Sequence, residues 1–409
     1  MTQNGILAGL RLVEAAAFVA APLGGMTLAQ MGAEVIRIDT IGGGLDYRRW
    51  PVTENGVSLF WCGLNKSKKS VALDLSSGEG REIATAIITA PGEDAGLFLT
   101  NFPPRGWLDY EQLKARRADL IQLTLQGDRH GGSAVDYTVN PRLGLPCVTG
   151  PREDASPTNH VLPAWDLITG QMVAVGLLAA ERHRRRTHEG QHVKIALQDV
   201  GLAVMSHLGF IVEAEFGQAR QRHGNDLCGA FGRDFLCADG ERVMVVGLTR
   251  KQWRALCNAM QMQGDMQALA TRLGLDLDLE GNRFMARQPI AECVEAWVGA
   301  RPYSVVAEVF DRHGVCWSRY QTLEQLVRED PECSLANPLF ARVVQPGVGN
   351  ILSAGLPLRF ATAMDTPPRA APQLGAHTEQ VLSELLGIDA AQYGRLHDKG
   401  VVAGPSQAS

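Results

Sequence analysis

This chain has no apolar run approaching the roughly 18 residues that a membrane span requires. Met1 to Gly9 carries no charged-then-apolar leader pattern, so the expectation is a protein held in solution in the cytoplasm, with no membrane partner. Basic charge is not in excess: 39 Lys and Arg face 44 Asp and Glu, a formal net charge of -5. That removes the electrostatic footprint nucleic-acid binding depends on. The eight cysteines, Cys62, Cys147, Cys228, Cys237, Cys257, Cys293, Cys316 and Cys333, are scattered. They have neither the close pairs of a zinc site nor the density of a disulfide scaffold, and read as reduced thiols. None of the ten histidines stands in a His-Glu-x-x-His or comparable ligand spacing, so no metal is expected. Gly42-Gly43-Gly44 follows the second predicted strand, not the first, and does not complete a dinucleotide pattern; NAD is not expected. No internal repeat and no extended low-complexity tract is present.

What is there is ample core material: 45% of 409 residues are hydrophobic, and that length exceeds what one core normally serves. Strand patterns at 10–15 and 34–39 flank a helix at 22–31, opening a β-α-β unit. The alternation continues with strands at 71–75, 96–99 and 120–125 and helices at 80–89 and 109–116, which predicts a doubly wound, Rossmann-like parallel sheet. Ligands of such sheets lie beyond the carboxyl ends of the strands, so the turn Ala16 to Pro22 faces the site. After a long apolar helix from Leu167 to Ala180, expected to be buried on nearly every face, a strand returns at 193–197. Polarity then rises. The expectation is a large domain of 1–212 with 339–409, linkers at 213–227 and 330–338, and a smaller α/β domain over 228–329. Near the C-terminus a helix precedes Gly387, with Thr378 as its candidate cap.

Asp166 is the residue of most interest. It ends His160-Val161-Leu162-Pro163-Ala164-Trp165-Asp166, where a loop becomes the long apolar helix. A carboxylate there is either an ordinary helix cap or a nucleophile. Arg182-His183-Arg184-Arg185-Arg186 at the other end is a basic run of the kind a helix C-terminus favours.

Several ordered motifs resemble CoA-transferase family III: Gly9 to Glu14, Ala20-Ala21-Pro22, Gly32 to Asp39, Leu64 to Leu75 and Thr100-Asn101-Phe102. The likeness continues through Thr187 to Val193 and Leu374 to Thr378 and covers essentially the whole chain. Asp166 matches that family's catalytic aspartate. Within the family, Phe18 to Met26, Leu45 to Pro51 and Gly229 to Phe235 are similar to members that move CoA between the two carboxyl groups of one methylfumarate. The resemblance implies an interlocked homodimer, an acyl-CoA substrate and no permanently bound cofactor, coenzyme A entering as part of the substrate. It also implies a covalent path through aspartyl anhydride and aspartyl-CoA thioester. The sequence departs from the pattern at Thr40, where relatives often carry a CoA-contacting Arg, and in the shortened stretch Asn101 to Trp107.

The resemblance implies CoA contacts at Lys68, Asn65, Asn101 and Phe102, with Arg105 taking a phosphate. Lys66, Lys68 and Lys69 on one loop and Arg48 and Arg49 on another offer charge-assisted bonds to phosphates, although such clusters are also common on solvated faces. Tyr137 matches an active-site tyrosine, and the N–H groups of Phe18 and Val19 are candidate oxyanion donors. Gly229, with Gly232, stands where relatives carry a glycine-rich loop. The candidates for holding the free carboxylate of the diacid are Arg48, Arg49 and Arg233, each of which taken singly also reads as a plain surface charge. An aspartate with an ordinary pKa of about 3.9 is anionic at neutral pH and attacks a thioester without a general base. Three rivals remain: intermolecular transfer to a separate acid, a non-catalytic nucleotide-binding scaffold in which Asp166 only caps its helix, and racemisation. The last requires a His where this chain has Ala134, with His130 displaced upstream.

Overall fold

The computed structural model describes residues 5–154, 156–218, 220–362 and 367–405. The chain divides into two compact units, 1–143 with 161–212 and 331–409, and 144–160 with 213–330. The segment 144–160 thus belongs with the smaller unit, whereas the sequence reading places it in the large domain.

The first unit is built on a seven-stranded sheet. Its strands are β1 (Arg11–Ala15), β2 (Glu34–Thr40), β3 (Lys69–Leu73), β4 (Leu97–Thr100), β5 (Ile121–Gln126), β6 (Gln191–Ala196) and a short terminal strand at Val402–Ala403. The order is terminal strand, β3, β2, β1, β4, β5, β6, all parallel except the terminal strand, which runs against β3. Register puts Val13 between Ile36 and Phe98.

Alternation along the strands sends side chains to opposite faces. Val13, Ile36, Ile38, Val71 and Phe98 pack on one face under the helices Gly78–Ile88 and Thr378–Leu386; Leu12, Val35, Leu97, Leu99 and Leu123 pack on the other under Ala20–Gln30 and Ala164–Thr187. Both faces are covered, which is why these strands read as nearly continuous apolar runs. Each fully buried Leu or Ile contributes roughly 1.5–3 kcal/mol.

The helices Ala20–Gln30 and Ala164–Thr187 lie against each other at glycines. A Cβ on Gly24 would sit 2.6 Å from Val173 Cγ1, and one on Gly170 would sit 2.8 Å from the Ala20 carbonyl oxygen. Those small residues bring the start of the first helix close to the second and third turns of the long one. The long helix is not buried all round, contrary to expectation: Ile168, Met172 and Val175 form an apolar stripe 37%, 47% and 58% exposed. It ends at His188 in a left-handed conformation, after the Arg184–Arg186 turn anticipated as a helix end.

Thr378 is not the cap of its helix but its first residue; His377 holds the cap position. The Thr378 hydroxyl instead accepts the Ala72 N–H and donates to the Gly375 carbonyl, which ties the C-terminal segment to β3.

The second unit carries an antiparallel three-stranded sheet, Phe231–Leu236, Arg242–Gly247 and Cys316–Arg319, covered by helices that include Arg250–Met260, Arg287–Gly299 and Tyr303–His313. Its own core includes Phe231, Phe235, Trp253, Ile290 and Phe310.

Candidate active site

Strand order reverses between β1 and β4, and there the chain leaves the sheet in opposite directions, opening a crevice. A pocket of about 640 Å³ occupies it, lined by the loops after β1 (Ala17 to Ala20), β4 (Asn101 to Pro104) and β5 (Gln126, Gly127 and Gly131 to Tyr137), with Arg49 and Asp166.

Asp166 lies in the first turn of the helix Ala164–Thr187, three residues after its cap position, Pro163, which has no side-chain cap. The cap reading of Asp166 is therefore incorrect. Asp136 takes that role: its carboxylate accepts the N–H of Trp165 at 2.8 Å and of Asp166 at 3.2 Å. Burial first, and then the negative charge of Asp136, push the Asp166 carboxyl up to about 7, against the pull of the Arg49 guanidinium. The group is thus not the fully ionised carboxylate that an ordinary aspartate is at neutral pH.

Arg49 lies over the rings of Phe60, at 4.6 Å, and Phe18, at 5.5 Å. It forms no ion pair among the described residues, unlike Arg37 of the same unit. Arg48 is exposed on the short 3-10 turn Leu45–Arg48 and does not line the pocket. Tyr137 lines it and is 52% exposed.

The loop after β1 is held from two sides. Asn101 accepts the Ala17 N–H at 2.9 Å and donates to the Ala17 carbonyl at 2.7 Å. Its amide thereby braces the loop, and Asn101 also lines the pocket. Phe18 stands in the left-handed region, φ 71°, and its N–H donates to both oxygens of Asp46. Phe18 is accordingly not a free oxyanion donor. The Val19 N–H, at the start of the helix Ala20–Gln30, has no partner among the described residues and borders the pocket.

The expected phosphate-binding lysines need a firmer correction. Lys68 is buried, and its ammonium donates to Glu14, Asn65 and the Pro22 carbonyl; burial pushes it down to about 8, partly offset by Glu14. Asn65 is equally buried, accepting from Lys68 and Arg37 and donating to the Trp61 carbonyl. Arg37 completes the cluster, paired with Glu14, Asp39 and Asp46. Lys66 donates to the Ala354 carbonyl, and Lys69 pairs with Glu34 and Glu384. Neither Lys68 nor Asn65 lines the pocket. The local spacing of the lysines shows nothing of this, because Glu14 and Arg37 come from other strands.

Phe102 lines the pocket, and Arg105 is exposed just beyond it. Ala134 also lines it, whereas His130 is exposed, beside Arg129, outside the lining. Gly229 lies in the second unit with φ 81°, ahead of the strand Phe231–Leu236, where Arg233 is paired with Asp226. Sequence reading missed Asp136 and Asp46 as functional groups. The signal for Asp136 was its place beside Tyr137; nothing local pointed to Asp46.

A parallel sheet with its crevice at the order reversal, and an aspartate facing that crevice, define a doubly wound α/β protein with a candidate nucleophile at its ligand site. The model of CoA-transferase family III matches residues 7–378, and the chain belongs to that family. It is 58% identical over 408 residues to 2-methylfumaryl-CoA isomerase of Chloroflexus aurantiacus, covering 99% of this chain and 100% of that one. It is 28% identical to the succinyl-CoA:mesaconate CoA-transferase of Haloarcula marismortui, over 94% of this chain and 97% of that one. Among solved structures, a CAIB/BAIF family protein from Brucella suis superposes with a TM-score of 0.75 at 25% identity, over 94% of this chain and all of the other. Among the described residues, no helix is long and apolar enough to cross a membrane, and no cluster of His, Cys, Asp and Glu is arranged to hold a metal ion.

Proposed function

We propose that this enzyme converts 2-methylfumaryl-CoA to 3-methylfumaryl-CoA by moving CoA between the two carboxyl groups of one methylfumarate. The observation that carries the reading is the pairing of a partly buried Asp166 with Arg49, a cation outside any ion pair among the described residues, in one pocket. A nucleophile faces a cation suited to the second carboxylate of a diacid. The 58% identity to a 2-methylfumaryl-CoA isomerase supports the same substrate.

The ionised Asp166 attacks the thioester carbonyl and expels CoA thiolate, leaving a mixed anhydride. The thiolate attacks the aspartyl carbonyl, giving aspartyl-CoA thioester and free methylfumarate. The diacid turns, its other carboxylate attacks the aspartyl thioester, and thiolate leaves again. Attack of that thiolate on the methylfumaryl carbonyl of the second anhydride releases product and regenerates Asp166. Coenzyme A is carried throughout as part of the substrate. In each tetrahedral step the Val19 N–H serves as oxyanion donor. Phe102, Tyr137 and the proline pair Pro103-Pro104 wall the pocket and limit water, which otherwise hydrolyses the anhydrides.

The exposed stripe Ile168, Met172 and Val175 supports a homodimer, since a second copy covers apolar surface that a monomer leaves in water. Acyl-CoA esters are intracellular metabolites, which is consistent with a cytoplasmic enzyme.

Incubation with 2-methylfumaryl-CoA and isotopically labelled free methylfumarate tests the reading. Product free of label is expected; label entering the thioester pool would assign intermolecular transfer instead.

A further inference from the structure

We infer that Asp136 is the positioning residue of the nucleophile: its buried carboxylate takes the backbone N–H groups at the start of the Asp166 helix and keeps them from Asp166 itself. The inference rests on the reading of Asp166 as the attacking group.

An acidic residue in the first turn of a helix is ordinarily stabilised in its charged form by the unpaired N–H groups and the helix dipole. Asp166 occupies such a place, yet its carboxyl is pushed up, not down. The geometry explains the inversion. Pro163 supplies no side-chain cap, and one oxygen of Asp136 accepts both the Trp165 and the Asp166 N–H. Asp136 is 1% exposed, and the same short helix, Asp136–Arg142, makes a second tie through Asn140, which accepts the Trp165 indole N–H at 3.1 Å. Two points of attachment, one turn apart on that helix, fix the backbone of the residue preceding the nucleophile. The Asp166 side chain is left facing the pocket beside a fixed negative charge.

Among the residues lining the pocket, the titratable ones are Arg49, Asp136, Tyr137 and Asp166. Asp136 and Arg49 act on Asp166 in opposite senses. The chemical result is a carboxylate with greater proton affinity and fewer hydrogen bonds than a solvated one. Such a group is the stronger nucleophile toward a thioester carbonyl.

The test compares Asp136→Asn and Asp136→Ala with the parent enzyme by two readouts: turnover of 2-methylfumaryl-CoA against pH, and ¹³C NMR titration of carboxyl-labelled aspartate, with Asp166 assigned from the signal missing in Asp166→Asn. The Asp136→Asn variant retains an acceptor oxygen without the charge, so the Asp166 titration and the acidic limb of turnover are expected to move together to lower pH, by about one pH unit or more. The Asp136→Ala variant is expected to lose at least about tenfold in kcat, through the missing cap, with Asp136→Asn recovering part of it. An Asp166 titration unmoved in a folded Asp136→Asn variant overturns the inference. If neither variant folds, the parent protein still decides, because an Asp166 carboxyl titrating near the ordinary value of about 4 overturns it too. NMR reads the carboxyl without turnover: a shifted titration in a protein that does not isomerise the substrate would leave the role of Asp136 standing and reject the proposed reaction.

Discussion

The Asp46 carboxylate receives the Phe18 N–H through both oxygens, at 2.9 and 2.8 Å, and so holds a non-glycine residue at φ 71°. A bulky side chain in that region costs on the order of 1–2 kcal/mol. Phe18 in turn supports Arg49. Asp46→Ala is expected to release the loop and lower kcat roughly tenfold, with a smaller change in KM. Steady-state kinetics on the variant, with its folding checked by circular dichroism, measures this.

The pH dependence of turnover has a definite sign. Asp166 must be ionised to attack, and its carboxyl is pushed up to about 7, so kcat/KM should rise through that pH and level off above it. An inflection near 4 in the pH profile would mean that Asp166 does not limit the acidic limb.

Linkage carries the same shift into stability. The folded state retains a proton on Asp166 that the unfolded chain releases near 3.8, so this group makes folding less favourable as pH rises from about 4 to about 7. Asp166→Asn removes the ionisation. It should abolish turnover yet raise resistance to urea at pH 8 by on the order of a few kcal/mol, with little gain at pH 4. Paired denaturation curves at the two pH values check the difference.

Arg49 opposes Asp136, so its removal acts in the opposite direction. In Arg49→Ala the acidic limb should move to higher pH, and kcat/KM should fall roughly 100-fold through loss of the carboxylate contact. Arg49→Lys retains the charge but not the planar stacking on Phe18 and Phe60, and should recover only part of the activity. Parallel assays with 2-methylfumaryl-CoA and a monocarboxylic acyl-CoA separate the two contributions.

Lys68 should behave as a structural residue. Replacing it by Met leaves buried Glu14 with Arg37 as its remaining ion-pair partner among the described residues and removes a bond from Asn65, at a cost on the order of a few kcal/mol, and should show as lost stability more than as a raised KM for the CoA ester. Urea denaturation and the KM of whatever protein remains folded distinguish the outcomes.

Much of the fold was legible because parallel strands buried on both faces announce themselves as apolar runs between helices. The address of the pocket followed from strand topology, and Asp166 from its motif. The roles of the cations were not legible. Arg48 and Arg49 are neighbours, yet one is exposed and the other stacks between two rings. Lys68 looks like a surface charge until Glu14, more than fifty residues earlier, is brought beneath it. The proton affinity of Asp166 was likewise hidden, since Asp136 is thirty residues away in the chain and faces it only after folding.

Arg49, Asp136 and Asp166 are drawn from three widely separated stretches of one unit. Arg49 and Asp136 precede Asp166 in the chain, and the sheet that carries the crevice is completed by segments that follow it, β6 and the terminal strand Val402–Ala403. The arrangement of these three groups is therefore a property of the folded unit and not of any local segment of the chain.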